Sequence, residues 1–344
     1  SANETIDASG LYLIPGMIDD QVHFREPGLT HKAEIKTESM AAVAGGITSF
    51  MEMPNTNPLT DSTDEIKKKL DLASLKSYAN YAFYLGATNN NLENIKKINP
   101  NLICGVKVFM GSSTGNMLVD DPETLSGIFE HSPVLIATHC EYTPIIEKNE
   151  QLYLKKFGPN LSIHHHGNIR SREACLKSSS LAVELAHKYQ SNLHVLHITT
   201  KDELSLFNKG YIDNKKITAE VCVHHLSFSE EDYHNLGSYV KCNPSVKTEE
   251  DRQALLRAVN EDCIDIIATD HAPHTKEEKQ QTYFKAPSGI PLVHHALLKL
   301  LDFYHQDIFS LEKIVEKTSH NVAKRFEIKE RGFIREGYWA DLVL

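Results

Sequence analysis

Side chains that could bind a charged group recur where apolar, strand-like runs give way to turns. The first is Ile18-Asp19-Asp20-Gln21-Val22-His23-Phe24-Arg25-Glu26-Pro27-Gly28, which reads as a buried strand entering a Gly/Pro turn. Residues i and i+2 of a strand share a face, so Gln21 and His23 project together, with Arg25 just beyond at the mouth. Core packing does not require an amide, an imidazole and a guanidinium there, whereas a charged ligand does. Three more strand ends add to the set: His139 in Ala137-Thr138-His139-Cys140-Glu141, His197 in Leu193-His194-Val195-Leu196-His197, and Asp270 in Thr269-Asp270-His271-Ala272-Pro273-His274. Imidazole plus carboxylate suits Zn²⁺, and an incomplete protein shell leaves room for water. Any one of these histidines, taken singly, reads as a satisfied core residue; four separate strand ends together favour ligation. His194, at an odd offset from His197, is expected on the opposite strand face, away from the site. His164-His165-His166 reads as a surface or substrate-side loop.

Lys107 lies inside Gly105-Val106-Lys107-Val108-Phe109-Met110, a strand expected to be buried on both faces. A buried ammonium is costly unless paired or neutralised. Two readings stay open: the stem snorkels toward the strand end, or CO₂ adds to the neutral amine and the resulting carbamate bridges two metals.

The elements that must position these groups alternate in type. Strand-like runs at 16–24, 47–53, 81–87, 103–110, 133–140, 193–199, 217–225 and 264–271 are separated by helical patterns. Eight is the count that closes a parallel (β/α)8 barrel, an α/β fold of the TIM type. Ser62-x-x-Glu65 and Thr200-x-x-Glu203 have the form of capping boxes, and Gly45-Gly46 is a reasonable stop for a helix containing Ala41 to Ala44. Lys68, Lys69, Asp71 and Lys76 fit a solvated helix face. His23, Asn55, Lys107, His139, His197, Asp270 and His274 all fall at or just after strand ends. In a barrel those ends meet on one face, where the loops build the active site.

The barrel is expected to span 14–331. Residues 1–13 and 332–344 read as remnants of a small β-domain built from both chain ends and incomplete in this chain, with 332–344 hairpin-forming. At 344 residues one large core can form, and 41% hydrophobic with 24% charged residues is ordinary for a soluble globular protein. A formal net charge of -10 argues against non-specific binding to nucleic acid or anionic membrane. No run approaches the roughly 20 apolar residues of a membrane span, and no signal peptide is visible. Six cysteines without a Cys-x-x-Cys pair read as reduced thiols of a cytoplasmic protein, with Cys104, Cys140, Cys222 and Cys263 in apolar runs.

Val22-His23-Phe24-Arg25-Glu26-Pro27-Gly28, Met53-Pro54-Asn55-Thr56-Asn57-Pro58 and Asp270-His271-Ala272-Pro273-His274 together resemble the dihydroorotases of the amidohydrolase superfamily. The resemblance runs from Pro15 to Leu344, and the Phe-Arg-Glu-Pro-Gly and Asp-His-Ala-Pro-His pieces are its specific parts. Hydantoinases and allantoinases share the barrel and most ligands, and Val106-Lys107-Val108-Phe109-Met110 looks more like their carbamylated-lysine strand. The resemblance implies zinc-dependent, reversible interconversion of N-carbamoyl-L-aspartate and dihydroorotate in pyrimidine biosynthesis. By the same likeness, His23 and Asp270 would hold the more buried metal, carboxylated Lys107 would bridge, and His139 and His197 would hold the second. Asp270 would also be the catalytic proton carrier. Arg25, Asn55 and His274 would grip the substrate carboxylate, with Asn243, Ser288 and Gly289 at the substrate. Dihydroorotate carries a carboxylate that plain hydantoins lack, and Arg25 offers it a planar fork.

The chain departs from the family pattern where Gln21 stands for a histidine, Ser288 for a common aromatic residue and Lys247 for a common Arg. A neutral amide is a poorer Zn²⁺ ligand than imidazole, so one zinc is expected to be firm and the second weak or absent. The alternatives are a hydantoinase- or allantoinase-type amidase and a non-catalytic partner of aspartate carbamoyltransferase. The partners expected are a small anionic substrate and further copies of the chain.

Overall fold

The computed structural model describes residues 5–111 and 117–344. Among them, eight parallel strands follow one another around a barrel in chain order. They are β1 Met17–Val22, β2 Ile47–Glu52, β3 Asn80–Gly86, β4 Gly105–Phe109, β5 Ile136–His139, β6 Leu193–Val195, β7 Ile217–Cys222 and β8 Ile266–Ala268. Closure comes from a parallel bridge between Val22 and His271, with the His23 amide donating to the His271 carbonyl at 2.7 Å. Each expected strand is present; most are shorter than expected, and β3 is shifted by one residue. This is the (β/α)8 architecture.

Two apolar layers explain why the sequence closes this way. Ile18, Met51, Met53, Tyr84, Ala137, Leu196 and Ile266 form one packed cluster. A larger cluster joins strand residues such as Val106, Val108, Val195 and Val221 to helix residues such as Ile66, Leu255 and Leu300. Burial on both faces of a parallel sheet requires such near-continuous apolar runs. The helices are punctuated as their caps direct. Ser62 accepts from the Glu65 amide at the start of Thr63–Lys76, and Ile35–Ala44 stops at Gly45. Thr200 and Glu203 do exchange reciprocal bonds at 3.2 and 3.3 Å, but they open a 3₁₀ turn, Glu203–Leu206, rather than an α-helix.

Three expectations about placement are corrected. Lys69 is not on a solvated face: it is 1% exposed, paired with the buried Glu52, and donates to the Met53 carbonyl at 3.2 Å. That pair anchors the strand end from which Asn55 projects. His166 is buried rather than in a surface loop, bonded to the Cys242 carbonyl at 2.8 Å and the Tyr283 hydroxyl at 2.9 Å. Cys104 is only half-buried, while the other five thiols are buried, and all six are free.

The chain ends meet in a two-residue antiparallel ladder of Ile14–Pro15 with Leu342–Val343. Residues 5–13 form no strand, and 332–344 pairs through Leu342–Val343 with Ile14–Pro15 rather than with itself. The first four residues of the 1–13 segment lie outside the described residues. No helix among the described residues is long and apolar enough to cross a membrane.

Candidate active site

One cavity at the carboxyl ends of the strands is lined by Gln21, His23, Arg25, Asn55, Lys107, Phe109, His139, His197, Asn243, Asp270, Ala272, Ser288 and Gly289. Every residue singled out from the sequence for metal or substrate lies on it except His274. That histidine sits behind the wall, bonded through Nδ1 to Lys32 at 3.2 Å and through Nε2 to the Ser288 carbonyl at 3.0 Å. Lysine only donates, so the ring proton belongs on Nε2 and is given to the Ser288 carbonyl; the Arg25 Nη 3.0 Å away is also a donor and packs there without a hydrogen bond. His274 therefore holds the 288–289 loop rather than facing the cavity.

The wall made by β1 and β8 has a closed set of contacts. His23 Nδ1 meets Asn55 Oδ1 at 2.7 Å; the amide oxygen only accepts, so Nδ1 carries a proton. Nε2 faces Asp270 Oδ1 at 3.1 Å. Asn55 thus has a role missed in the sequence, orienting His23. Gln21 donates from Nε2 to the same Asp270 oxygen at 3.1 Å, and its Oε1 accepts from the Cys222 thiol at 3.7 Å. A carboxylate can only accept, which fixes the amide with its nitrogen on Asp270. Gln21 is thus a neutral donor to Asp270, not an oxygen ligand beside His23. Burial would raise the Asp270 carboxyl, but the hydrogen bond and charge of His23 outweigh it and hold it below its ordinary value.

The wall made by β4, β5 and β6 is different. His139 Nε2 lies 3.1 Å from Glu141, a buried acid paired with Arg170. Burial would raise Glu141, but Arg170 outweighs it and holds it at about 2, so it accepts the Nε2 proton and leaves the Nδ1 lone pair inward. Nδ1 is 3.0 Å from His197 Nε2. Two nitrogens at 2.0–2.1 Å from one tetrahedral zinc would stand about 3.3 Å apart. These rings therefore fit zinc with little adjustment, and Glu141 is the kind of partner that orients a metal-binding histidine. His197 Nδ1 is buried and has no hydrogen-bond partner among the described residues. Burial pushes Lys107, 1% exposed and 4.7 Å from the Phe109 ring centre, down to about 8.

Local backbone strain helps to aim these groups. Arg25, His197 and Asp270 adopt φ of 67°, 42° and 47°, the left-handed region that side chains other than glycine rarely occupy. β6 ends at Val195, and the turn at His197 breaks the strand alternation. As a result His194 also points inward, one layer below the cavity, with Nε2 3.1 Å from Asp20 and 3.5 Å from Glu220. Burial opposes its protonation, but those acids push it up to about 9. The β1 register shifts between Asp19 and Val22, and this lets both Asp20 and Gln21 take part in inward contacts. Glycines fit where backbones touch. A Cβ at Gly28 would collide with the Asn57 carbonyl, joining the Phe-Arg-Glu-Pro-Gly and Met-Pro-Asn-Thr-Asn-Pro segments, and Gly289, at φ 146°, lies against the Ala272 carbonyl.

Residues 12–344 match the amidohydrolase family model. The chain is 33% identical to a dihydroorotase of Methanosarcina acetivorans, covering 100% of this chain and 75% of that one. It is also 33% identical to a dihydroorotase of Fusobacterium nucleatum, covering 98% of this chain and 79% of the other. Among solved structures, an L-hydantoinase (dihydropyrimidinase) from Arthrobacter aurescens superposes with a TM-score of 0.94 over 100% of this chain and 78% of that one, at 26% identity. Barrel, mouth and motifs agree with this likeness: the chain belongs to the amidohydrolase family and is related over nearly its whole length to dihydroorotases.

Proposed function

We propose that this cyclic amidohydrolase interconverts N-carbamoyl-L-aspartate and dihydroorotate, with zinc held by His139, His197 and Lys107. The observation that carries the substrate choice is Arg25. Its guanidinium is 3% exposed, turned into the cavity by its left-handed backbone, and braced by a 3.1 Å bond from Nε to the Pro273 carbonyl. Burial lowers it to about 10, so it remains a cation at neutral pH. A buried fork of this kind favours a ring that bears a carboxylate. The likeness to a hydantoinase supports a rival in which the ring is uncharged, and Arg25 weighs against it.

Zinc, when bound, supplies Lewis acidity: it takes the pKa of a water from 15.7 toward about 7 and polarises the substrate carbonyl. The chain's own groups do the rest. Asp270, ionised and fixed between Gln21 and His23, accepts the water's proton at a carboxylate oxygen and returns it to the ring nitrogen as the C–N bond breaks. Asn243, Ser288 and Gly289 border the ring, and Arg25 sets its orientation. Burial makes the neutral amine of Lys107 accessible. Addition of CO₂ forms an N–C bond with loss of a proton and yields an anion beside the two histidines. We place the protein in the cytoplasm as a homo-oligomer, with association to aspartate carbamoyltransferase the reading to test if turnover is absent.

Zinc-loaded protein supplied with either N-carbamoyl-L-aspartate or dihydroorotate should bring both to one equilibrium mixture. Failure to do so, with ring opening of hydantoin or allantoin instead, would overturn the assignment.

A further inference from the structure

Beneath the Gln21 side of the cavity lies a cluster that the reaction above does not use. Cys222 ends β7, and His224 and His225 follow in the short helix Val223–Ser227. One ligand atom from each of the three lies within 4.8 Å of the others, and all three residues are buried. His225 donates from Nε2 to the Pro244 carbonyl at 3.0 Å, which leaves Nδ1 with its lone pair and, among the described residues, no partner. His224, 1% exposed, makes no well-directed ring hydrogen bond among the described residues; its one polar neighbour is the Thr269 backbone. Unpartnered imidazole nitrogens are expensive to bury. A backbone carbonyl on the far side of one ring is the usual way a metal-binding histidine is held.

The fourth side is Gln21, whose amide is fixed with its oxygen toward Cys222. The Oε1–Sγ separation is 3.7 Å, against about 3.6 Å for sulfur and oxygen bound to one tetrahedral zinc. Several carboxyl groups lie nearby. Burial and the carboxylates Glu220, Asp270, Asp19 and Asp20 hold the bare thiol well above its ordinary value. We propose that Cys222, His224 and His225, completed by the amide oxygen of Gln21, form a separate metal site for a zinc-like divalent cation. A thiolate with two imidazoles is a soft set suited to Zn²⁺ over Mg²⁺ or Ca²⁺. Binding replaces the Cys222 S–H bond with a sulfur–metal bond and releases the proton to solvent. Gln21 then has a positive function: one end steadies Asp270 and the other faces the new site.

Cobalt(II) titrated into the metal-free full chain tests this directly, because a thiolate ligand gives a near-ultraviolet charge-transfer band that histidine and carboxylate ligands do not. Wild-type protein should show the band, Cys222→Ser should lose it together with one bound cobalt, and His139→Ala should keep it. His224→Gln should weaken the cobalt affinity that the band reports, with the native circular dichroism spectrum retained. No band in the wild type, or a band unchanged in Cys222→Ser, overturns the site. Cyclic-amide turnover measured on the same samples keeps the two readings apart: an active enzyme without the band rejects this site alone, and a band without turnover rejects the proposed reaction alone.

Discussion

The two walls of the cavity hold similar residues and solve different problems. On the β1/β8 wall each polar end already has a protein partner: Asn55 holds His23, and Gln21 and His23 both hold Asp270. On the β4/β5/β6 wall, Glu141 and Arg170 secure the outer side of His139 while the inner nitrogens of His139 and His197 face each other across 3.0 Å. On the first wall a neutral amide donor stabilises the carboxylate. On the second wall His139 Nδ1 and His197 Nε2 face each other at 3.0 Å, a separation that one zinc fits with little adjustment. The difference teaches that a glutamine on the first wall gives Asp270 a neutral donor, whereas the second wall brings two imidazole nitrogens to a spacing suited to one metal.

Five substitutions break or sharpen that contrast. The largest effect is expected from Asp270→Asn, which removes the proton carrier: kcat should fall by about 10²–10⁴ while zinc content, measured on the same preparation, stays within error if the metal resides on the other wall. Arg25→Met should raise KM for dihydroorotate by about 10–150-fold, the equivalent of about 1.5–3 kcal/mol for a hydrogen bond to a charged group, while leaving hydantoin opening less affected. A parallel loss for both rings would remove the carboxylate argument. Glu141→Gln should weaken zinc affinity by about 10–100-fold, read by competition with a chelator, whereas Asn55→Ala should change it far less because Asn55 supports the other wall. The smallest effect is a gain. Gln21→His should add zinc affinity beside His23 and Asp270 and raise turnover, and an unchanged metal content would show that this wall is not a ligand position.

Much of this was legible in the residues because barrel geometry is forgiving. Eight apolar runs ending in polar residues imply a common mouth whatever the details of the helices, and His23, Lys107, His139, His197 and Asp270 do line one cavity. What periodicity could not give was orientation beyond the strand. His194 turned inward because the chain breaks its alternation at His197, with φ 42°, and His274 fell behind Arg25 because Lys32 and Ser288 claim its ring. Lys69 looked like one charge of a solvated face because its partner, Glu52, is distant in sequence. Two signals were visible and unused: Glu141 two residues beyond His139, and Glu220 as a lone acid inside a buried strand, where it accepts from the His197 amide at 3.0 Å.

Anomalous diffraction at the zinc edge from crystals of the zinc-loaded wild-type protein tests the central claim most directly. The account predicts a strong peak about 2.0–2.1 Å from both His139 Nδ1 and His197 Nε2, with extra density continuous with Lys107 Nζ. Rings that remain in direct contact with no peak between them, while zinc sits beside His23 and Asp270, would contradict it.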